Sequence, residues 1–232
     1  MHPQSKYHSP IGSCKLSEVE VWVFAGGDEP QVLPVALSGA GRPDLVVAAD
    51  SGLMWAQKLG VDVVVGDMDS VPGEALAEAE ARGAEIVRYD PDKDATDLEL
   101  ALQLACERGA SSITLVGGHG GRLDHFLGNI ALLASLPKEV KVCALMGETE
   151  IAVLHGSQER GSELAIRGKR GQLVSLIPWG ADAEGVSTTA LRWPLAGETL
   201  PLGTSRGISN EMTDTQAEVS LKRGTLLVVS NS

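Results

Sequence analysis

Four aspartates, Asp50, Asp67, Asp69 and Asp97, follow short apolar runs in the strings AADSG, VVVGDMDS and DKDATDLE. The runs are LVVAA at 45–49, VDVVVG at 61–66 and EIVRY at 85–89. Carboxylates gathered from several strands repel one another and stay ionised comfortably only around a cation. A hard oxygen set of this kind suits Mg²⁺, which keeps waters and binds substrate phosphates. Asp67 and Asp69, two apart, share a face if the strand continues, and a turn after Gly66 can still aim both into one crevice. Each aspartate also has a plainer reading as a turn or cap residue, and Asp50 stands where it would cap the helix that follows.

The stretch DPDKDATD adds Asp90, Asp92, Lys93 and Asp94. Thr96 is a helix cap with Glu99 three residues on, the spacing of a capping box. Asp97 then lies in the first turn, where it either complements the helix dipole or projects into the crevice as a metal ligand or base. The loop GGHGGRLDH at 117–125 follows a strand and opens a helix. Its glycines let backbone N–H groups approach an anion, and Arg122 adds a forked donor suited to phosphate. It is neither a Walker A loop nor a dinucleotide fingerprint. A simple tight turn is the alternative, and His125 is equally a packing residue.

Positioning these groups requires strands alternating with helices. VEVWVFA at 19–25, SITLV at 112–116 and VKVCAL at 140–145 bring the strands of this half to about six. Helical spacing recurs at 52–59, 73–82, 96–108 and 123–135, with Gly60, Gly83 and Gly109 as stop signals. Strand, helix, strand predicts a doubly wound, mainly parallel sheet with right-handed crossovers. Ligands of such sheets bind beyond the carboxyl ends of the strands, where the aspartates fall. After about Met146 the runs EIAVL, ELAI, QLVSLIP, TLPL and GTLLVVS are separated by Gly, Pro and Ser/Thr clusters, which predicts a smaller antiparallel, β-sandwich-like domain. The expected division is a flexible leader at 1–17, an α/β domain at 18–147 and a β-rich domain at 148–232.

The 232 residues carry a net charge of -12, which argues against a nucleic-acid binder, so a phosphorylated substrate needs a divalent cation. Cys14, Cys106 and Cys143 are far apart and odd in number, which suggests neither a disulfide framework nor a zinc site. No apolar run reaches the length of a signal peptide or a membrane span, so a cytoplasmic protein is expected.

Taken in order, Ala49-Asp50-Ser51-Gly52, Gly66-Asp67-Met68-Asp69-Ser70, the string from Asp92 through Asp97, and Gly120-Gly121-Arg122-Leu123-Asp124-His125 resemble the motifs of the thiamine pyrophosphokinase family. GVSTTALRWPL at 185–195 and GISNE at 207–211 continue the likeness. The resemblance implies an N-terminal α/β domain that handles ATP and metal, a C-terminal β-domain that helps hold thiamine, and a homodimer with active sites between subunits. It also implies that Asp50, Asp67, Asp69 and Asp97 are metal ligands. Lys93, Asp94, Thr96, Gly120, Gly121, Arg122, Asp124 and His125 would join Asp50 on the nucleotide. Ser209 and Asn210 would contact thiamine. The family often has Gln at the place of Ala95 and a smaller or hydroxyl residue at that of His119.

The reaction so implied moves a pyrophosphoryl group from ATP to the thiamine hydroxyl and releases AMP. Asp67, Asp69 and Arg122 would serve charge neutralisation, with Lys93 assisting, and Asp97 would orient or deprotonate the hydroxyl. Trp179 or Trp193 could stack on a flat cationic ring, although a Trp at a strand end also serves as core or interface. The rivals are a diphosphokinase acting on 6-hydroxymethyl-dihydropterin, a metal-dependent phosphatase with Asp67 as nucleophile, and a non-catalytic nucleotide sensor.

Overall fold

Strands buried on both faces carry continuous apolar runs, and three of them form the middle of a large sheet: β1 (Val19–Ala25), β2 (Leu45–Ala49) and β3 (Val63–Gly66). The computed structural model describes residues 19–30, 41–156 and 161–231. The leader expected at 1–17, with Cys14, lies outside them. The edge strand β4 (Glu85–Arg88) has no fully buried residue. β5 (Ala110–Gly117) and β6 (Lys141–Met146) complete a parallel set in the order β6-β5-β1-β2-β3-β4.

Helices cover both faces, as the doubly wound reading requires. α1 (Leu53–Ala56) and α2 (Gly73–Ala81) bury Leu53, Ala56, Ala75 and Ala79 against one face. α3 (Asp97–Glu107) and α4 (Leu123–Ser135) bury Leu98, Leu102, Ile130 and Leu133 against the other. The continuous helix expected at 52–59 is instead α1 flanked by the 3₁₀ turns Asp50–Gly52 and Gln57–Leu59. Thr96 caps α3, its Oγ1 accepting from the Glu99 N–H at 3.2 Å. Among the described residues no helix is long and apolar enough to cross a membrane.

The change of texture at Met146 is a hairpin. β7 (Thr149–His155) turns back through residues 147–148 and pairs antiparallel with β6. β14 (Thr225–Asn231), β9 (Leu173–Pro178) and β12 (Asn210–Glu211) then extend the same sheet to ten strands, β12-β9-β14-β7-β6-β5-β1-β2-β3-β4. A second antiparallel sheet, β11-β10-β13-β8, is built from β8 (Ser162–Arg167), β10 (Ala183–Thr189), β11 (Ala196–Leu200) and β13 (Gln216–Leu221). It closes a sandwich on the antiparallel end of the large sheet. Val186, Val219 and Leu221 meet Val174, Leu176 and Leu226 in one core.

The order of the parallel strands contains a reversal. From β1 the chain moves to β2 on one side, whereas β5, on the other side of β1, leads away to β6. Crossovers leaving in opposite directions open a crevice at the carboxyl ends of β1 and β5, the place where open α/β sheets bind ligands.

Candidate active site

That crevice is a cavity of about 900 Å³, lined by the ends of β1 and β2, the N-terminus of α3, the loop 118–122 and one side of α4. Its size is that of a small-molecule site. On its β2–β3 side, carboxylate oxygens of Asp50, Asp67 and Asp97 lie within 4.8 Å of one another. Gly66 makes this approach possible. A Cβ there would lie 3.0 Å from Asp97 Oδ1 and 3.3 Å from Asp50 Cβ, at a φ of 150°. Replacing Gly66 by Ala is therefore expected to cost about 1–3 kcal/mol, a fall in Tm of roughly 2–10 °C by scanning calorimetry.

Lys93 supplies the cluster with its own cation. Its Nζ lies 2.9 Å from Asp67 Oδ2 and 3.1 Å from Asp97 Oδ1, the second contact close enough for an ion pair but out of line for a hydrogen bond. The ammonium and the Asp69 N–H hold the Asp67 carboxyl below the usual range, and Asp67 in turn raises Lys93. Asp50 moves the other way. Burial raises it, and the nearby Asp97 charge adds to that, against a hydrogen bond from the Ser51 backbone. Its backbone is in the left-handed region, at a φ of 46°, and its buried Oδ1 has no hydrogen-bond partner. Helix capping does not account for such a residue.

A raised folded-state value means that ionised Asp50 costs stability at neutral pH. In chelator-treated protein Asp50→Asn is thus expected to melt above the unsubstituted chain at pH 7. The gap should close as pH falls below the ordinary aspartate value of 3.8, where Asp50 is protonated in both folded and unfolded chains. Melting curves across pH check it, and a variant melting lower at pH 7 would contradict it.

Oδ1 of Asp97 is likewise buried without a hydrogen bond. An Asp50 oxygen without a hydrogen bond, an Asp97 oxygen held only by the Lys93 ion pair and a third carboxylate form a hard donor set that fits a divalent cation such as Mg²⁺. Asp69, expected in this set, stands outside it. The strand ends at Gly66 and buried Met68 adopts a φ of 67°, so alternation no longer applies. Asp69 is exposed at the rim and accepts from the Ser70 hydroxyl at 2.7 Å.

Across the cavity, Gly117, Gly118, Gly120 and Gly121 all have φ between 60° and 85°, a left-handed conformation that glycine adopts without strain. The loop is stitched to the end of β1: Gly118 N donates to Gly26 O at 3.0 Å and Asp28 N to His119 O at 2.9 Å. Asn129 of α4 holds it from below, donating to Gly118 O at 2.8 Å. Gly26, Gly27, Asp28 and Asn129 were not among the expected site residues. The usable signal was a glycine pair directly after the first strand, which gains meaning only once β1 and β5 are known to be neighbours.

Arg122 caps no hydrogen bond of α4; its guanidinium forks onto the Asp124 carboxylate and holds it down at about 2. This exposed pair stands at the rim beside His125 and Gly121. Asp94 is exposed next to Lys93, Ala95 lines the cavity, and the His119 ring packs toward Gly147 in the β6–β7 turn. Ser209 and Asn210 lie elsewhere, at β12 on the far edge of the large sheet.

A switch-point cavity with a three-carboxylate cluster facing a glycine loop places the chain among α/β proteins that bind small ligands beyond the carboxyl ends of their strands, here with an antiparallel sandwich attached. Two family models place it further: that of the thiamin pyrophosphokinase catalytic domain matches residues 40–144, and that of the thiamin pyrophosphokinase vitamin B1 binding domain matches residues 162–226. The chain belongs to the thiamine pyrophosphokinase family. It is 27% identical over 213 residues to the thiamine pyrophosphokinase of Bacillus subtilis (strain 168), covering 90% of this chain and 97% of that one. With thiamine pyrophosphokinase 1 of Oryza sativa subsp. japonica it shares 30% over 176 residues, 73% of this chain and 66% of the relative. The crystal structure of the Bacillus subtilis enzyme superposes with a TM-score of 0.77 at 26% identity, covering 92% of this chain and 99% of that one. Thiamin pyrophosphokinase from Candida albicans, at 13% identity and a TM-score of 0.74 over 93% of this chain and 90% of that one, shares the fold.

Proposed function

We propose that this protein is a thiamine pyrophosphokinase, transferring the pyrophosphoryl group of ATP to the thiamine hydroxyl and releasing AMP. The observation that carries the reading is the carboxylate cluster facing the glycine loop across one cavity, in a chain whose second half matches a vitamin B1 binding model. Residues 18–147 handle ATP and residues 148–232 hold thiamine. The enzyme works in the cytoplasm, where ATP is supplied.

In this reading the triphosphate lies along the 117–121 loop, with Arg122 at its outer end. Asp50, Asp67 and Asp97 would hold Mg²⁺, which supplies charge neutralisation to phosphate oxygens when bound. Lys93 sits among the same carboxylates and is within reach of the transferred group. Asp97, at the first turn of α3, orients the thiamine hydroxyl for in-line attack on the β-phosphorus; as a weak base it contributes more by alignment than by proton removal. Asp69 acts from the rim.

The far placement of Ser209 and Asn210 supports a homodimer. Between β12 and β1 lie five strands, hence six inter-strand steps. At about 4.8 Å per step this is roughly 30 Å along the sheet, more than thiamine spans. The acceptor segment of a second copy is needed to complete the cavity. Leu123 and Leu127 of α4, 70% and 51% exposed beside the cavity, offer an apolar face for that copy.

The vitamin B1 model speaks for thiamine over a pterin alcohol, and a Lys-paired Asp67 is a poor phosphatase nucleophile. The test is AMP formation from ATP and Mg²⁺ with thiamine or 6-hydroxymethyl-dihydropterin as acceptor. AMP with thiamine alone supports the reading. AMP only with the pterin keeps the chemistry and overturns the acceptor, and AMP with neither removes the kinase.

A further inference from the structure

A lysine ammonium is strongly hydrated and is ordinarily left in water. The Lys93 side chain is nevertheless only 14% exposed, and it ends between the carboxylates of Asp67 and Asp97, themselves 13% and 22% exposed. Its Nζ donates to Asp67 Oδ2 at 2.9 Å and stands 3.1 Å from Asp97 Oδ1. It lines the same cavity as the glycine loop. An ion pair at this depth is not the weak, screened pair of a protein surface.

The oxygens it holds are the ones a metal would need. Asp67 Oδ1 already accepts from the Asp69 N–H at 3.2 Å, which leaves Oδ2 as the freer oxygen of that carboxylate. Asp97 Oδ1 is the oxygen turned toward Asp50, because a Cβ on Gly66 would meet it at 3.0 Å and Asp50 Cβ at 3.3 Å. Asp50, Asp67 and Asp97 can each offer one oxygen within 4.8 Å of the others, and the buried Asp50 Oδ1 has no hydrogen-bond partner. One ammonium thus answers two of the three carboxylates, whereas a hard divalent ion takes all three together with waters.

We propose that Lys93 is a resident counter-ion of the carboxylate cluster: in the metal-free protein it holds Asp67 and Asp97 in place, and it yields their oxygens to a divalent cation and passes to the phosphates. This deepens the reading above and rests on it for the metal. Two cations do not share these oxygens at close range, since their charges repel. The flexible four-carbon stem lets the ammonium move, and the glycine loop that faces the phosphates is in the same cavity. Metal alone therefore costs the protein its ion pairs, and metal arriving with phosphate restores them. The cation site stays weak in the resting protein and becomes strong when the nucleotide is present.

The experiment measures Mn²⁺ binding to the nucleotide-free protein by electron paramagnetic resonance, for the unsubstituted chain and for Lys93→Met, with Asp67→Asn marking any binding outside the cluster. Removing a competing positive charge is expected to tighten Mn²⁺ binding at least about 10-fold. Lys93→Gln serves where the methionine variant does not fold. A second readout follows the ammonium itself in the unsubstituted protein. The ¹⁵N resonance of Lys93 Nζ, assigned by its absence from Lys93→Arg, should move as Mg²⁺ is added and move again on adding magnesium pyrophosphate.

Unchanged or weaker Mn²⁺ binding by Lys93→Met would overturn the proposal, because a lysine that only props the carboxylates helps the metal instead of competing with it. A resonance unmoved by saturating Mg²⁺ would overturn it as well. One that follows Mg²⁺ but ignores magnesium pyrophosphate would overturn the passage to phosphate. Binding of Mn²⁺ by neither chain would remove the cation site and the proposal with it. An unsubstituted enzyme that forms no AMP with thiamine would instead sink the functional reading, while the metal titration would still judge the exchange.

Discussion

Replacing Asp97 by Asn is expected to lower kcat about 10³-fold while leaving the fold in place. Asp97 lines the cavity and belongs to its carboxylate cluster. It opens α3, offers a buried Oδ1 with no hydrogen-bond partner, and faces both Asp50 and the Lys93 ammonium. An amide keeps the shape but replaces one anionic oxygen by a donor, which removes charge from the cation site and turns an N–H toward Lys93. Folding has less at stake, since Thr96, not Asp97, caps the helix and no buried apolar contact is lost. Single-turnover AMP release, with Tm as the control, measures the effect. An Asp97→Asn enzyme retaining more than about a tenth of the rate would remove Asp97 from the chemistry.

The second large effect is a recovery. If Asp67 holds the cation and Trp193 the acceptor ring, an Asp67→Asn chain alone should be nearly inactive and a Trp193→Ala chain alone should keep about a tenth of the activity at low thiamine. If sites form between copies, mixing and re-equilibrating the two chains generates heterodimers in which one of the two sites has both intact parts. Random pairing makes half of the dimers mixed, so activity should rise to about a quarter of the unsubstituted enzyme. A monomer that used both parts of one chain would show no gain at all. The sheet geometry favours recovery, because eight strand spacings separate β12, to which Trp193 is hydrogen-bonded, from β3, which leads into Asp67.

Local chemistry was readable without coordinates. The apolar runs of β1, β2 and β3, the Thr96 cap and the bounds of α4 follow from periodicity and stop signals a few residues away. The meeting of Asp50, Asp67 and Asp97 follows from the parallel sheet, because all three lie beyond the carboxyl ends of its strands. What the chain kept hidden depends on partners distant in sequence. Asp69 faces outward because Met68, next to it, is drawn into the core. Gly26 and Gly27 matter because β5, some ninety positions on, pairs with β1. The sandwich was expected, but not that half of it would be an extension of the catalytic sheet, since an apolar strand such as β7 does not advertise its neighbour. The hydrogen bonds between Asn210 and Trp193, 17 positions apart, were likewise not legible, because they depend on two distant segments meeting.

The hairpin at 147–148 bears on how such an enzyme is inherited. β6 and β7 share a ladder of main-chain hydrogen bonds on either side of it, so a cut there would leave two long unpaired edges. The two halves, matched by separate family models, thus share one sheet. A genetic cut at the hairpin would have to be accompanied by something that covers both edges.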